Sequence, residues 1–374
     1  MKINIQKNKF LKAIENNLKI VDHASMTIEL RCLLFDVRLN KIIIKSSNGE
    51  ISIQNEYELD GINNKADSTG VFLVSAKQIK GVLNRTDENV EITVVKGNIK
   101  ISSNSYISDF ATIDSTNFPD INFTLSSNYF KLGSHDFFKA LKNVGYIALN
   151  NPSREEIALN VVRIDCKDKK LEFLSSDRKR IAHETIDIDY DHVFDLSFHY
   201  KTLKDLLSLN YEKEINFYPG SFEAKILTGK MVVTAKIVTL ATINLSQNNP
   251  FTQEFHSFIK IDKSELLDLI DKVTVFTDSM TKKIRLKTSR KNNEAFLKLE
   301  TYIDDAGNSE ASTNNIIFEG PEFTALYNAN YVKEAMSPFG ETVHLFFAPN
   351  NGPLMIRSDE YPTNKQLIAS IKDH

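Results

Sequence analysis

Three segments of this 374-residue chain write the same pattern: a short alternating run, a helix-length stretch of about ten residues, then two alternating runs around a turn. The copies begin at Val71 ("VFLVSAKQIKGVLNRTDENVEITVVKGNIKISS"), Val193 ("VFDLSFHYKTLKDLLSLNYEKEINFYPGSFEAKILT") and Glu322 ("EFTALYNANYVKEAMSPFGETVHLFFAPNNGPLMIRS"), a step of roughly 125 residues. Turn residues recur with them, as Lys96-Gly97-Asn98, Pro219-Gly220 and Asn350-Asn351-Gly352-Pro353. An earlier helix keeps the same step. Its apolar positions are Phe10, Ile14 and Leu18, then Phe138 and Leu141, then Leu266, Leu267, Ile270 and Val273, with Ser134 and Asp262 expected as N-caps. Alternating strands such as "KIIIKSSNGEISIQNEYEL" fill the space between. The pattern predicts an α+β chain of three repeated domains, 1–124, 125–252 and 253–374, each with two helices packed on antiparallel sheets.

Charge limits the partners. With 46 Lys+Arg against 49 Asp+Glu the formal net charge is −3, so any basic surface must be local. The helices supply one. Lys9, Lys12 and Lys19 with Asn16 line one side of the first helix, and Lys139, Lys142 and Lys272 continue the stripe in its counterparts. The second helices add Lys77, Lys80 and Arg85, then Lys201 and Lys204, then Lys333, while strands such as "ETIDIDYDH" carry the acids. This segregation in a net-acidic chain points to a surface that faces phosphates.

The start "MKINIQKNKF" lacks the apolar core of a signal peptide, and no apolar run reaches the length of a membrane span. Cys32 and Cys166 lie in strand-like runs far apart, without CxxC spacing, and are expected to be reduced and buried, in keeping with a cytoplasmic protein. No phosphate-binding loop, dinucleotide fingerprint, HExxH or GxSxG occurs. Asp187, Asp189 and Asp191 with His192 alternate with Ile186, Ile188 and Tyr190, the pattern of a strand with an acidic exposed face, and "YIDDAGNSEAS" is read as a hairpin turn. Neither catalysis, nor a metal, nor a cofactor is expected.

Over essentially its whole length the chain resembles the bacterial sliding clamp, the beta subunit of DNA polymerase III. The resemblance is carried by domain order and by "STNFPDIN", "LEFLSSDRKRIAHE" and "KKIRLKTS". It implies a non-enzymatic head-to-tail homodimer that closes into a ring around duplex DNA without sequence preference. Such a ring tethers the replicative polymerase, the clamp loader and other replication and repair proteins. The DNA-facing residues would be the basic helix residues named above. A cleft for a partner peptide with Gln and apolar anchors would use Ile157, Ser176, Arg180, Ile181, Ile243, Pro353, Ile371 and Lys372, and the subunit boundary would use Phe110, Val275 and Phe276. The chain departs from the family at "TINL" (242–245) in place of FPDY, at Arg178 and Lys179 in place of Gly and His, and at "ASIK" (369–372) in place of L-P-V/M-R. Two rivals differ in kind. A monomeric three-domain peptide-binding scaffold would share the cores without associating, and a DNA-processing enzyme would need an acidic metal cluster.

Overall fold

The computed structural model describes residues 1–150, 156–239, 249–275, 282–292, 294–303 and 307–372. Its α-helices are α1 (Lys7–Ile20), α2 (Ala76–Leu83), α3 (Ser134–Leu149), α4 (Tyr200–Ser208), α5 (Lys263–Val273) and α6 (Ala329–Ala335). One element order recurs three times. An opening strand (Lys2–Gln6, Phe130–Gly133 or Ser257–Asp262) runs directly into α1, α3 or α5; further strands follow, then α2, α4 or α6, then three more strands.

Compactness follows the sheets and not the repeats. One compact unit holds Met1–Asp136 with Lys201–Val238, the other Phe137–Tyr200 with Thr239–His374, so the middle repeat contributes to both. In the first unit, strand Ile51–Glu58 pairs antiparallel with Met231–Lys236 (Ile53↔Val233) inside an eight-stranded sheet. A five-stranded sheet ends on strand Ile107–Ala111. In the second unit, Arg180–Asp187 pairs with Lys365–Ile368 inside a nine-stranded sheet, and a four-stranded sheet ends on strand Gly307–Thr313. Both cross-repeat pairings obey one rule: the third strand after a repeat's first helix pairs with the last strand of the next repeat.

The cores are apolar faces of the helices set on these sheets. In α1 the buried positions are Phe10, Ile14, Asn17 and Ile20, and the Phe10 ring lies 5.2 Å from Tyr57 edge-on and 5.9 Å from Phe35. Asn17 is tolerated there because its amide donates to Ser46 Oγ at 3.0 Å and to the Ile53 carbonyl at 3.3 Å. In the second unit α5 and α6 bury Leu266, Ile270, Val273, Val332 and Ala335 against Leu286, Leu299, Leu345 and Ile356. The Lys96-Gly97 turn, with φ of 48° and 80°, connects Val95 to its cross-strand partner Asn98, the left-handed two-residue loop that matches strand twist.

Asp262 caps α5, its carboxylate accepting from Glu265 N at 3.0 Å. Ser134 is not a cap: it is the first residue of α3, and its hydroxyl donates to the Lys213 carbonyl at 3.2 Å. Cys32 and Cys166 are buried and unpaired, and burial pushes both thiols up to about 11. Strands Glu294–Ile303 and Gly307–Thr313 pair antiparallel as far as Ile303↔Gly307, on either side of the stretch expected to be a hairpin turn.

Candidate peptide groove and basic helices

Successive side chains of a strand point to opposite faces. On strand Arg180–Asp187 this sends Arg180 and Glu184 to the side packed against helices and Ile181 and His183 to the other. The register then builds a row across five strands: Ile181↔Leu367, Leu367↔Met355, Met355↔Phe346, Phe346↔Phe258. Phe251 and Phe255, from the segment leading into the third repeat, pack on it with Ile181 and Phe346. Ring centroids of Phe258 and Phe346 are 5.0 Å apart, those of Phe255 and Phe346 6.2 Å, and His183 lies 5.6 Å from Phe251. The result is a small apolar cluster in which Leu367 and Met355 are buried beneath Phe251, leaving Ile181, Phe346 and Phe258 half-buried at its edges. Of these residues the sequence singles out Ile181 alone as a cleft residue; Leu367, Met355, Phe346, Phe258, Phe251 and Phe255 join it only through the register. Phe258, Phe346, Met355 and Leu367 lie in the strand-like runs "SFIKID", "TVHLFF", "LMIR" and "KQLI", and Phe251 and Phe255 precede the first of them.

Arg180, expected in the cleft, faces away from this surface. It is 2% exposed, its Nε donates to Asp177 Oδ2 at 2.9 Å, its Nη1 pairs with Glu334 of α6, and its guanidinium sits 4.1 Å from the Tyr331 ring centre. A buried cation so enclosed holds the turn in place. Ser176 is buried as well, its hydroxyl accepting from Arg178 N at 3.3 Å. The turn is closed by Asp177, whose Oδ1 accepts from Lys179 N at 3.0 Å and Arg180 N at 2.9 Å. Arg178 within it has φ of +70°, the left-handed region that favours glycine.

Beneath the same strand lies a buried polar network. Glu184 Oε2 accepts from Asn143 Nδ2 at 2.9 Å and Asn364 Nδ2 at 2.8 Å, and Gln366 bridges Asn364 and Tyr146. It joins α3 to the sheet strands of both repeats in this unit. The tail is pinned too: Ala369 N donates to the Lys179 carbonyl at 2.7 Å and Ile371 N to the Leu326 carbonyl at 2.8 Å. Ile371 is half-buried and Lys372 exposed, Pro353 is half-buried, and Ile157 is exposed beside Glu156, which pairs with Arg178 at 2.6 Å. Ile243 lies outside the described residues.

The basic helix residues divide by unit. Lys9, Lys12, Lys77, Lys80, Lys201 and Lys204 are exposed and form no ion pair among the described residues; Lys19 pairs with Glu15 at 3.4 Å, and exposed Arg85 donates to the Gly81 carbonyl at 2.8 Å. Asn16 is engaged with Asn210, accepting from its N at 2.9 Å and donating to its carbonyl at 2.8 Å. In the other unit Lys142 is exposed, Lys139 sits over the Tyr361 ring at 3.9 Å, Lys272 pairs with Asp268 at 2.5 Å and Lys333 with Asp271. The third repeat's cations are therefore largely neutralised in place. At the expected subunit boundary, Phe110 lies on an edge strand and packs partly on the first-repeat core, Val275 is 69% exposed, and Phe276 lies outside the described residues. Among the described residues no group of three or more His, Cys, Asp or Glu side chains is placed to hold a metal ion. Asp187 and Asp189 lie 4.0 Å and 3.4 Å from Lys170 and Lys169. Among the described residues no helix is long and apolar enough to cross a membrane.

Three copies of one strand–helix–sheet unit, linked edge to edge and carrying basic helices and an apolar sheet face, define a clamp-type scaffold. The family model for the N-terminal domain of the DNA polymerase III beta subunit matches residues 1–122. The beta sliding clamp of Mycoplasmopsis pulmonis is 35% identical over 377 residues, covering all of both chains. The Bacillus subtilis DNA polymerase sliding clamp has the same fold (TM-score 0.89, 15% identity, full coverage of both chains). So does a Pseudomonas aeruginosa sliding clamp bound to griselimycin (TM-score 0.90, 15% identity, full coverage of both chains). The chain belongs to the beta sliding clamp family.

Proposed function

We propose that two copies of this chain close into a ring around duplex DNA, giving the sliding clamp its hold by topology. The observation that carries this is the pairing rule between repeats. Applied once more, it matches the third-repeat strand Gly307–Thr313 with the first-repeat strand Ile107–Ala111, and each ends a sheet. The two strands belong to opposite ends of the chain, so a second copy supplies each missing partner at two identical seams and removes the open edges. Phe110, Val275 and Phe276 are assigned to those seams. The domains of each copy are taken as 1–124, 125–252 and 253–374.

Twelve helices spaced ~9 Å apart around such a ring put their axes on a circle ~34 Å across, leaving ~24 Å inside for a duplex of roughly 20 Å. Exposed lysines on the helices meet phosphates without reading bases, and a loose solvated fit permits sliding. The protein acts without catalysis, in the cytoplasm. Its apolar sheet face takes apolar anchors of short peptides from the replicative polymerase, the clamp loader and other replication and repair proteins. Each buried Leu or Phe there contributes about 1.5–3 kcal/mol. Solution mass tests the ring: at micromolar protein the account expects twice the 42.5 kDa chain, and a persistent monomer favours the peptide-binding scaffold.

A further inference from the structure

Directly beside the apolar row runs a second one. Two residues along each of the same five strands, the side chains on the same face are His183, Lys365, Arg357, His344 and Lys260. Register holds them in line: His183↔Lys365, His344↔Arg357 and Lys260↔His344, with Lys365 beside Arg357 one step beyond Ile356↔Gln366. Five basic or titratable side chains thus flank five apolar ones. The acids nearby stand at the ends. Glu172 lies 3.9 Å from His183, and Asp359, 75% exposed, lies 3.3 Å from His344 and 3.6 Å from Lys260. Among the described residues neither Lys365 nor Arg357 forms an ion pair. Burial, and then the charge of Arg357, hold the Lys365 ammonium below its ordinary range, against a weaker opposite pull from Glu172. Like charges set side by side on a sheet repel, so the free protein is less stable for this arrangement and an anionic ligand would relieve it.

We propose that this row is the second half of the groove, binding the carboxylates of an extended partner peptide whose apolar anchors pack against the half-buried members of the neighbouring row, Ile181, Phe346 and Phe258. The inference rests on the peptide-groove reading above. Adjacent strands are about 4.8 Å apart, so five of them span about 19 Å, the length of about six extended residues at 3.3 Å each. An extended chain also alternates its side chains, so anchors on the apolar row leave the remaining positions free to turn toward the basic one.

Two labelled peptides with identical Leu and Phe anchors, one with Asp and one with Asn at every other position, distinguish charge from shape. Anisotropy titrations would be run at low ionic strength and at about 0.3 M salt. They would use the wild type, the Arg357→Gln/Lys365→Gln double variant and Ile181→Asp, each checked for a native circular dichroism spectrum. The Asp peptide is expected to bind wild type at least about tenfold tighter at low salt. That advantage should vanish in high salt and in the double variant, which should bind the Asn peptide as wild type does. Equal binding of the two peptides to wild type, with both weakened by Ile181→Asp, would leave the groove standing and overturn the basic row. Binding of neither peptide, or no effect of Ile181→Asp, would remove the groove reading and this inference with it. Displacement of the Asp peptide by oligothymidylate at equal charge concentration would assign the row to phosphates and also overturn it.

Discussion

Ile181 stands directly opposite Leu367 where the strand Arg180–Asp187 of the second repeat meets the last strand of the third, on the face turned away from Arg180 and its partners. One residue earlier in register, Arg180 opposes Ile368 on the buried face. The same pair of strands therefore builds an apolar cluster on one side, with Ile181 half-buried and Leu367 buried, and a locked ionic core on the other. Ile181→Asp should leave folding intact, because the side chain is only half-buried, while placing a carboxylate where apolar anchors must lie. Fluorescence titration should show peptide affinity falling at least about tenfold. Unchanged affinity would move the groove elsewhere.

Arg180→Met should be costly for a different reason. It strands Asp177, 6% exposed, and half-buried Glu334 without their cation, and breaking such a pair typically costs about 3–5 kcal/mol. Urea unfolding should show that loss. Glu334→Gln, on the more exposed partner, should cost clearly less.

Arg178 offers a gain. Its φ of +70° is the conformation in which a Cβ is crowded, and its ion pair with Glu156 is solvent-exposed and weak. Arg178→Gly should therefore raise stability by up to about 1 kcal/mol, the side-chain strain outweighing glycine's extra entropy in the unfolded chain. A fall in the urea midpoint would contradict this reading of the turn.

The two thiols give a pH test. With Cys32 and Cys166 raised to about 11, the native protein should react slowly with thiol reagents at pH 8, where the unfolded chain reacts readily. A thiol with a raised native value binds its proton more tightly when folded. Stability from this source is thus full below the unfolded value of about 8.5 and is lost as pH rises from there through about 11. Thiol labelling across pH 8–11 would check it.

The repeat, its helices and its hairpins were legible because period-two and period-3.6 patterns and turn residues are local. What escaped was long-range. Nothing local reveals that strand Ile51–Glu58 finds Met231–Lys236, or that Ile181, Leu367, Met355, Phe346 and Phe258 align, since register between distant strands is set by the whole sheet. Arg180, carried over from the family's cleft, lies on the face opposite Ile181, because adjacent strand residues face opposite ways. Asn143, Asn364 and Gln366 carry no local signal of burial, and they are buried because they satisfy one another around Glu184. The lysines were found correctly as helix residues. That Asp268 and Asp271 neutralise Lys272 and Lys333 follows from one-turn spacing in the first case and from packing of α6 near α5 in the second.

The seam between copies can be attacked where the single chain is exposed. Ile107 and Val275 are 63% and 69% exposed, so Ile107→Asp with Val275→Asp should leave each chain folded and shift the protein to monomer. Light scattering at matched concentration distinguishes a 42.5 kDa species from one of twice that mass. A double variant that remains dimeric at nanomolar protein would place the seam elsewhere.

Encirclement is tested most directly by loading the protein onto a nicked circular duplex and then cutting the circle. The account expects protein to stay on the intact circle through washing and to leave within one sliding excursion once an end is made. Lys12, Lys142 and Lys204 replaced together by Ala should weaken association with open DNA and lower its salt slope by up to about 0.9 per lost contact. Equal loss from circular and linearised DNA would contradict a closed ring.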